Sequence, residues 1–258
     1  KWMFQQVVDL KDEGVELKRV LDKLLPNDWL RQTPFKGWTV NRVVQHLHGA
    51  DKMAVIALQN PEAFAQAKVQ PAELQRVMNP QEEGANLLDI WWSYFENMCD
   101  LLGASDPSRR VPWFGPDMGV MMFTTARQME TWSHGQDIFD MFGELRRNSN
   151  RLKNIAVIGV KTYGWTFANR GLQPPAPAPY VKLTGPAGDL WEFNEADQDN
   201  MIEGDAAEFC HVVTQGRNIQ DVALKVTGET AARWMEIAQC FAGGPEDPPA
   251  PGSRLVNF

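Results

Sequence analysis

Apolar residues recur at helical spacing through most of the first 170 positions. In residues 4–25, FQQVVDLKDEGVELKRVLDKLL, the positions Val7, Leu10, Leu17, Val20, Leu21 and Leu24 trace one face, and Pro26 ends the run. A second helix is predicted in GWTVNRVVQHLHGADKMAVIAL, with Thr39 as its N-cap and Val40, Val43, Val44, Leu47 and Ala54 on its apolar side. Pro61, Pro71 and Pro80 interrupt the next stretch, which predicts short helices joined by turns over 61–79. A third long helix is predicted over about 81–102 and a fourth over about 118–142. The Gly- and Pro-rich loop GASDPSRRVPWFGPDMG lies between them. A further helix is predicted over about 150–169. This pattern predicts a mainly α chain, an antiparallel four-helix bundle with additions, occupying residues 1–170.

The pattern then changes. GLQPPAPAPY, residues 171–180, alternates prolines with small residues and reads as an extended linker. YVKLTGPAGDLWEFN alternates apolar and polar residues on both sides of GPAGD, which predicts a hairpin. DAAEFCHVVTQ reads as a helix, VALKVTG as a strand and ETAARWMEIAQCFA as a second helix. Residues 181–243 are therefore expected to form a small α+β domain, followed by a loose tail over 244–258.

Composition narrows the function classes. The 258 residues carry a net charge of −8, which repels phosphate backbones, so nucleic acid is not expected as a partner. No apolar run is long enough to span a bilayer, and no signal-peptide pattern is visible within these residues. Three widely spaced cysteines, Cys99, Cys210 and Cys240, suit a reducing compartment better than a disulfide framework, so a cytoplasmic protein is expected. The ten tryptophans are read as large core residues. Bundles with exposed aromatic faces often form homodimers, and the sequence leaves the oligomeric state open.

Ionisable chemistry gathers on the fourth helix. Phe123, Arg127, Glu130, His134, Asp137 and Met141 follow one another at spacings of four and three, so they share a face whose flanking members are apolar. Charged groups on an inward face must pair or bind a metal. Glu130 and His134, one turn apart, can converge on a single cation. A third ligand must come from another helix. His46 shares a stripe with Val43, Leu47 and Ala50 and is preferred. His48, which lies with Val44, Asp51 and Val55, is read as a group near the metal, as a substrate group, or as simply exposed. Asp137 could orient an imidazole, and Arg127 could anchor a substrate carboxylate. The same residues could instead form a buried ion-pair network without metal. His211, in FCHVV, is read as a structural or surface histidine.

GWTVNRVVQHLHGADKM and ARQMETWSHGQDI resemble the two signature segments of the DinB/YfiT-like metal-binding superfamily, in its mycothiol-dependent maleylpyruvate isomerase branch. The residues from VKLTGPAGDLWEFN to AQCFAG are similar to the small sterol-carrier-like domain found in a subgroup of that branch. The resemblance implies a DinB-like bundle in which His46, Glu130 and His134 hold a divalent metal, usually zinc, with Asp137 at an acidic position of the second signature.

It also implies a low-molecular-weight thiol, mycothiol or glutathione, as co-reactant. Such a thiol adds to the activated double bond of a small unsaturated acid. Rotation and departure then give the isomer, while retention of the adduct is transfer. A basic residue in the family's C-terminal region assists catalysis. Arg217 and Arg233 are candidates for it here, and the second histidine of HLHGAD departs from the common pattern. Two other readings stand beside this one. One is a thiol-independent metal hydrolase, lyase or hydratase with His48 or Asp137 as base. The other is a non-catalytic protein that binds a small molecule or lipid.

Overall fold

Each long helix follows from a stripe of apolar residues and a recognisable start or stop. The computed structural model describes residues 3–254. Helix α1, Gln5–Leu21, buries Val7, Leu10, Gly14, Leu17 and Leu21 at spacings of three and four. Lys18 and Arg19 in its last turn complement the helix dipole. Gly14 lets α1 approach Phe95 closely, because a Cβ there would sit 2.1 Å from the phenyl ring.

Helix α2, Val40–Gln59, begins where the sequence predicts, with the Thr39 hydroxyl accepting the Arg42 N–H at 3.1 Å. Helices α3, Pro61–Val69, and α4, Pro71–Met78, each start on proline, whose fixed φ suits the first helical position. Helix α5, Gly84–Gly103, and helix α6, Val120–Phe142, complete the four long helices. Between α5 and α6 the chain makes a two-stranded antiparallel ribbon, β1, Arg110–Val111, with β2, Met118–Gly119.

Two sets of polar groups inside the bundle are paired across helices. Asp51 of α2 is fully buried and accepts from Arg127 of α6 at 2.8 and 3.1 Å and from Trp91 of α5 at 3.1 Å. Gln128 of α6 donates to Glu13 of α1 at 3.2 Å. Helix α6 is buried nearly all round, so its polar residues face neighbouring helices rather than solvent.

The chain divides into two compact units between Met141 and Phe142. The sequence reading carries the helical domain on to residue 170, with one helix over 150–169. In the structure that stretch is two helices, α7, Leu152–Lys161, and α8, Tyr163–Ala168, and α7 packs on a helix of the second unit. The break falls at Thr162, whose hydroxyl donates to the Ile158 carbonyl at 2.7 Å.

The second unit also holds a four-stranded sheet in the order β4-β3-β5-β6. Its strands are β3, Tyr180–Thr184, β4, Leu190–Phe193, β5, Met201–Asp205, and β6, Lys225–Thr227. β3 and β4 form the predicted hairpin, while β3 and β5 run parallel. Helix α9, Ala206–Val213, follows β5 directly, with Asp205 as its N-cap, and α10, Glu229–Ile237, follows β6. α9 is the helix against which α7 packs.

Strand β5 was not expected from the sequence. MIEGD is five residues long, and glycine and two acidic residues give it no clear alternation. The segment expected to be a loose tail is tied down over 244–254. Glu246 receives Gln215 and Arg170 on its carbonyl at 2.9 and 2.6 Å, Pro249 receives Asn218 at 3.0 Å, and the Gly252 N–H meets the Asp221 carboxylate at 2.9 Å. Among the described residues no helix is long and apolar enough to cross a membrane.

Candidate metal centre

Two helices bring together three side chains that could ligate a metal. His46 lies in the second turn of α2, and Glu130 and His134 lie one turn apart in the middle of α6. One ligand atom from each can be chosen so that all three lie within 4.8 Å of one another. Bonds of about 2.0–2.1 Å in a tetrahedral arrangement require ligand atoms about 3.3 Å apart. Nε2 of His134 and Oε2 of Glu130 already stand at 3.4 Å, close to that spacing. The two imidazole rings meet edge to face, with centroids 5.0 Å apart.

Asp137, one turn further along α6, accepts from Nδ1 of His134 at 3.0 Å. That bond fixes the ring and leaves Nε2 directed at Glu130. Burial by itself disfavours charge on His134. The hydrogen bonds from Asp137 and Glu130, and their negative charges, outweigh it and hold the metal-free imidazole up at about 9. Burial likewise opposes ionisation of Glu130, but His134, Arg127 and His46 bring its carboxyl down to about 2. His46 behaves in the opposite way. Burial and then the positive charge of His134 lower it to about 4, although Glu130 pulls upward. At neutral pH the metal-free cluster therefore holds a carboxylate, a neutral imidazole and an imidazolium, with the extra proton where a cation would go.

The loop before α2 walls the cluster. The Thr33 N–H and hydroxyl both donate to the Trp38 carbonyl, at 2.7 and 2.8 Å, and the Trp38 N–H returns to the Phe35 carbonyl at 2.9 Å. Lys36 and Gly37 take left-handed backbone angles, φ 52° and 70°, to make this tight turn. The turn sets Phe35 edge to face with His134 at 5.3 Å and Trp38 edge to face with His46 at 5.5 Å.

The other expected site residues are placed differently. Arg127, expected to meet a substrate carboxylate, meets Asp51 instead, and only 3% of the residue is exposed. His48 does not join the cluster. Two residues beyond His46 it lies about 200° further round α2, fully buried, with its ring against Tyr94 of α5 at 5.3 Å and neither ring nitrogen hydrogen-bonded. Burial, followed by the charge of Lys52, lowers His48 to about 4, so it is neutral at physiological pH.

In the second unit, Arg217 donates to the Gly216 carbonyl, Arg233 pairs with Glu236 on an exposed face, and His211 sits in α9. Sequence reasoning missed the contacts of Phe35 and Trp38 with the two histidines. The available signal was PFKGW itself, a tight glycine turn with two aromatic residues just ahead of the ligand-bearing helix.

Comparison with known proteins places these features in context. A family model described as the mycothiol maleylpyruvate isomerase N-terminal domain matches residues 10–139, the span that contains His46, Glu130 and His134. Two curated relatives from Mycobacterium tuberculosis, the uncharacterized proteins MT0041 (strain CDC 1551 / Oshkosh) and Rv0036c (strain ATCC 25618 / H37Rv), are each 36% identical over 251 residues. The alignment covers 93% of this chain and 96% of theirs. The crystal structure of the mycothiol-dependent maleylpyruvate isomerase is similar with a TM-score of 0.54, over 81% of this chain and 87% of that one. A histidine-to-alanine mutant of the same isomerase gives 0.53. At 12% identity, these two structures speak for the fold.

Proposed function

The chain belongs to the family of the mycothiol maleylpyruvate isomerase N-terminal domain, and from that premise we propose that it is a divalent-metal-dependent enzyme. In this reading His46, Glu130 and His134 hold the cation, zinc by the character of the ligand set. The enzyme uses a low-molecular-weight thiol to isomerise, or add to, a small unsaturated organic acid. The observation that carries the reading is the convergence of the three ligand atoms within 4.8 Å, from two helices, inside the span matched by the family model.

The donor set fits a catalytic rather than a closed structural site, because three protein ligands leave a position for a fourth. Bound there, a divalent cation would lower the pKa of a thiol or water in that position. The chain's own groups prepare for this. His46 is already neutral at pH 7 and offers a lone pair without first losing a proton. Asp137 holds Nδ1 of His134, so the nitrogen toward Glu130 is the one that ligates. Glu130 is the only anion among the three ligands, so a divalent ion keeps one uncancelled positive charge, which favours a thiolate.

Asp51 pairs with Arg127, so that guanidinium is already engaged beside the cluster. Phe35 and Trp38 cover the imidazole edges and limit access of water to them. The substrate is a small molecule, and the chain's charge of −8 gives nucleic acid no role.

The test is metal analysis of the untreated protein, followed by a maleylpyruvate isomerisation assay with mycothiol, with glutathione and with no thiol. One equivalent of divalent metal, lost in His134→Ala, and turnover only with thiol are expected. Turnover that persists unchanged without thiol would replace the thiol reading with metal-hydroxide chemistry. A metal-free and inactive protein would overturn both.

A further inference from the structure

Trp38, Arg42 and His46 follow one another at intervals of four residues. Arg42 and His46 are one turn apart on the same face of α2. The Trp38 indole touches both. The Arg42 guanidinium carbon lies 4.2 Å from the indole centroid, and the His46 ring is edge-on at 5.5 Å. The turn over 33–38, with its left-handed Lys36 and Gly37, holds that indole in place. A flexible arginine is thereby mounted beside a metal ligand.

Arg42 is exposed, and its guanidinium makes no hydrogen bond or ion pair with any other described residue. The chain has eight more acidic than basic residues, yet no described carboxylate takes this cation. Contact over an indole engages the face of a guanidinium and not its edge of N–H donors, which can receive a carboxylate through two parallel hydrogen bonds.

We propose that Arg42, held on the Trp38 indole one turn from His46, binds a carboxylate of the substrate and so sets the enzyme's preference for anionic acids. This rests on the function proposed above. It assigns to Arg42 the anchoring role that the sequence suggested for Arg127, whose guanidinium is buried against Asp51.

The experiment titrates the metal-loaded full chain with maleate and with its uncharged dimethyl ester. Calorimetry and tryptophan fluorescence are the readouts, in wild type, Arg42→Gln and Arg42→Lys. Loss of a charge-assisted pair is expected to weaken maleate binding about tenfold in Arg42→Gln. Arg42→Lys, which keeps the charge but not the fork of donors, is expected to fall between. Ester binding, metal content and melting temperature are expected to be the same in all three proteins.

A maleate affinity within twofold of wild type in Arg42→Gln would overturn the proposal, as would an equal loss for the ester or a wild type that does not bind maleate. Such results would leave metal content and thiol dependence standing. Absence of metal from the wild type would instead remove the reading beneath the proposal.

Discussion

Metal binding at this centre is expected to release one proton, and the count can be worked from the structure. In the metal-free protein His134 is held up at about 9, His46 down at about 4 and Glu130 down at about 2. At pH 6, then, only His134 carries a proton that a cation must displace, and a metal-bound water, with a pKa of about 7, still keeps both of its own. Displacing the His134 proton at pH 6 opposes binding by three pH units, roughly 4 kcal/mol. Apparent affinity should therefore rise about tenfold per pH unit between about pH 5 and pH 7.

Zinc titrations by calorimetry at pH 6, in buffers of different ionisation enthalpy, give the proton count as the slope of observed against buffer enthalpy. A slope near one is expected in wild type. Asp137→Asn removes the hydrogen-bonded carboxylate that does most to raise His134, so its affinity should depend on pH over a lower and narrower range. A slope near zero in wild type would refute the assignment of the imidazolium to His134 and the displacement of its proton by metal.

Three further outcomes follow from the same structure. With metal chelated, the raised His134 contributes stability that is present in full below about pH 6.5 and is lost as pH rises through about 9. Urea unfolding is expected to show a loss of up to about 3 kcal/mol over that window, in which the lowered His46 does not titrate. Arg127→Met leaves the Asp51 carboxylate buried without its cation and should destabilise the protein by about 3–5 kcal/mol, read from the same unfolding curves. Gly49→Ala would place a Cβ 2.6 Å from the backbone oxygen of Met78, so it should force α4 off α2 and cost about 1–3 kcal/mol, measured as a lowered melting temperature.

The helices were legible because their stripes repeat over many residues. Val7 to Leu21 and Val40 to Leu58 carry enough repeats to outweigh any single exception, and Thr39 marks a start that the structure reproduces to the residue. The break at Thr162 was not legible, since a hydroxyl that turns back on the Ile158 carbonyl looks in sequence like any other helical threonine. Strand β5 was not, because its place beside β3 is set by register with a partner 21 residues away rather than by its own pattern.

At the candidate centre the i,i+4 spacing of Glu130 and His134 and the stripe of His46 were readable, and the structure brings those three together. The partner of Arg127 was not readable. Asp51 lies 76 positions earlier, on a stripe where only the packing of α2 against α6 decides what it meets. His48 shows the same limit from the other side. Two positions from His46, it points to a different helix, and only the rotation of α2 about its axis separates a ligand from a buried neutral ring.

The most direct test of the centre is anomalous diffraction at the zinc edge from crystals of the full chain equilibrated with one equivalent of zinc. One strong peak is expected about 2 Å from the His46 imidazole, the Glu130 carboxylate and Nε2 of His134 together. A peak elsewhere, or none in crystals whose protein retains the three side chains in place, would contradict it.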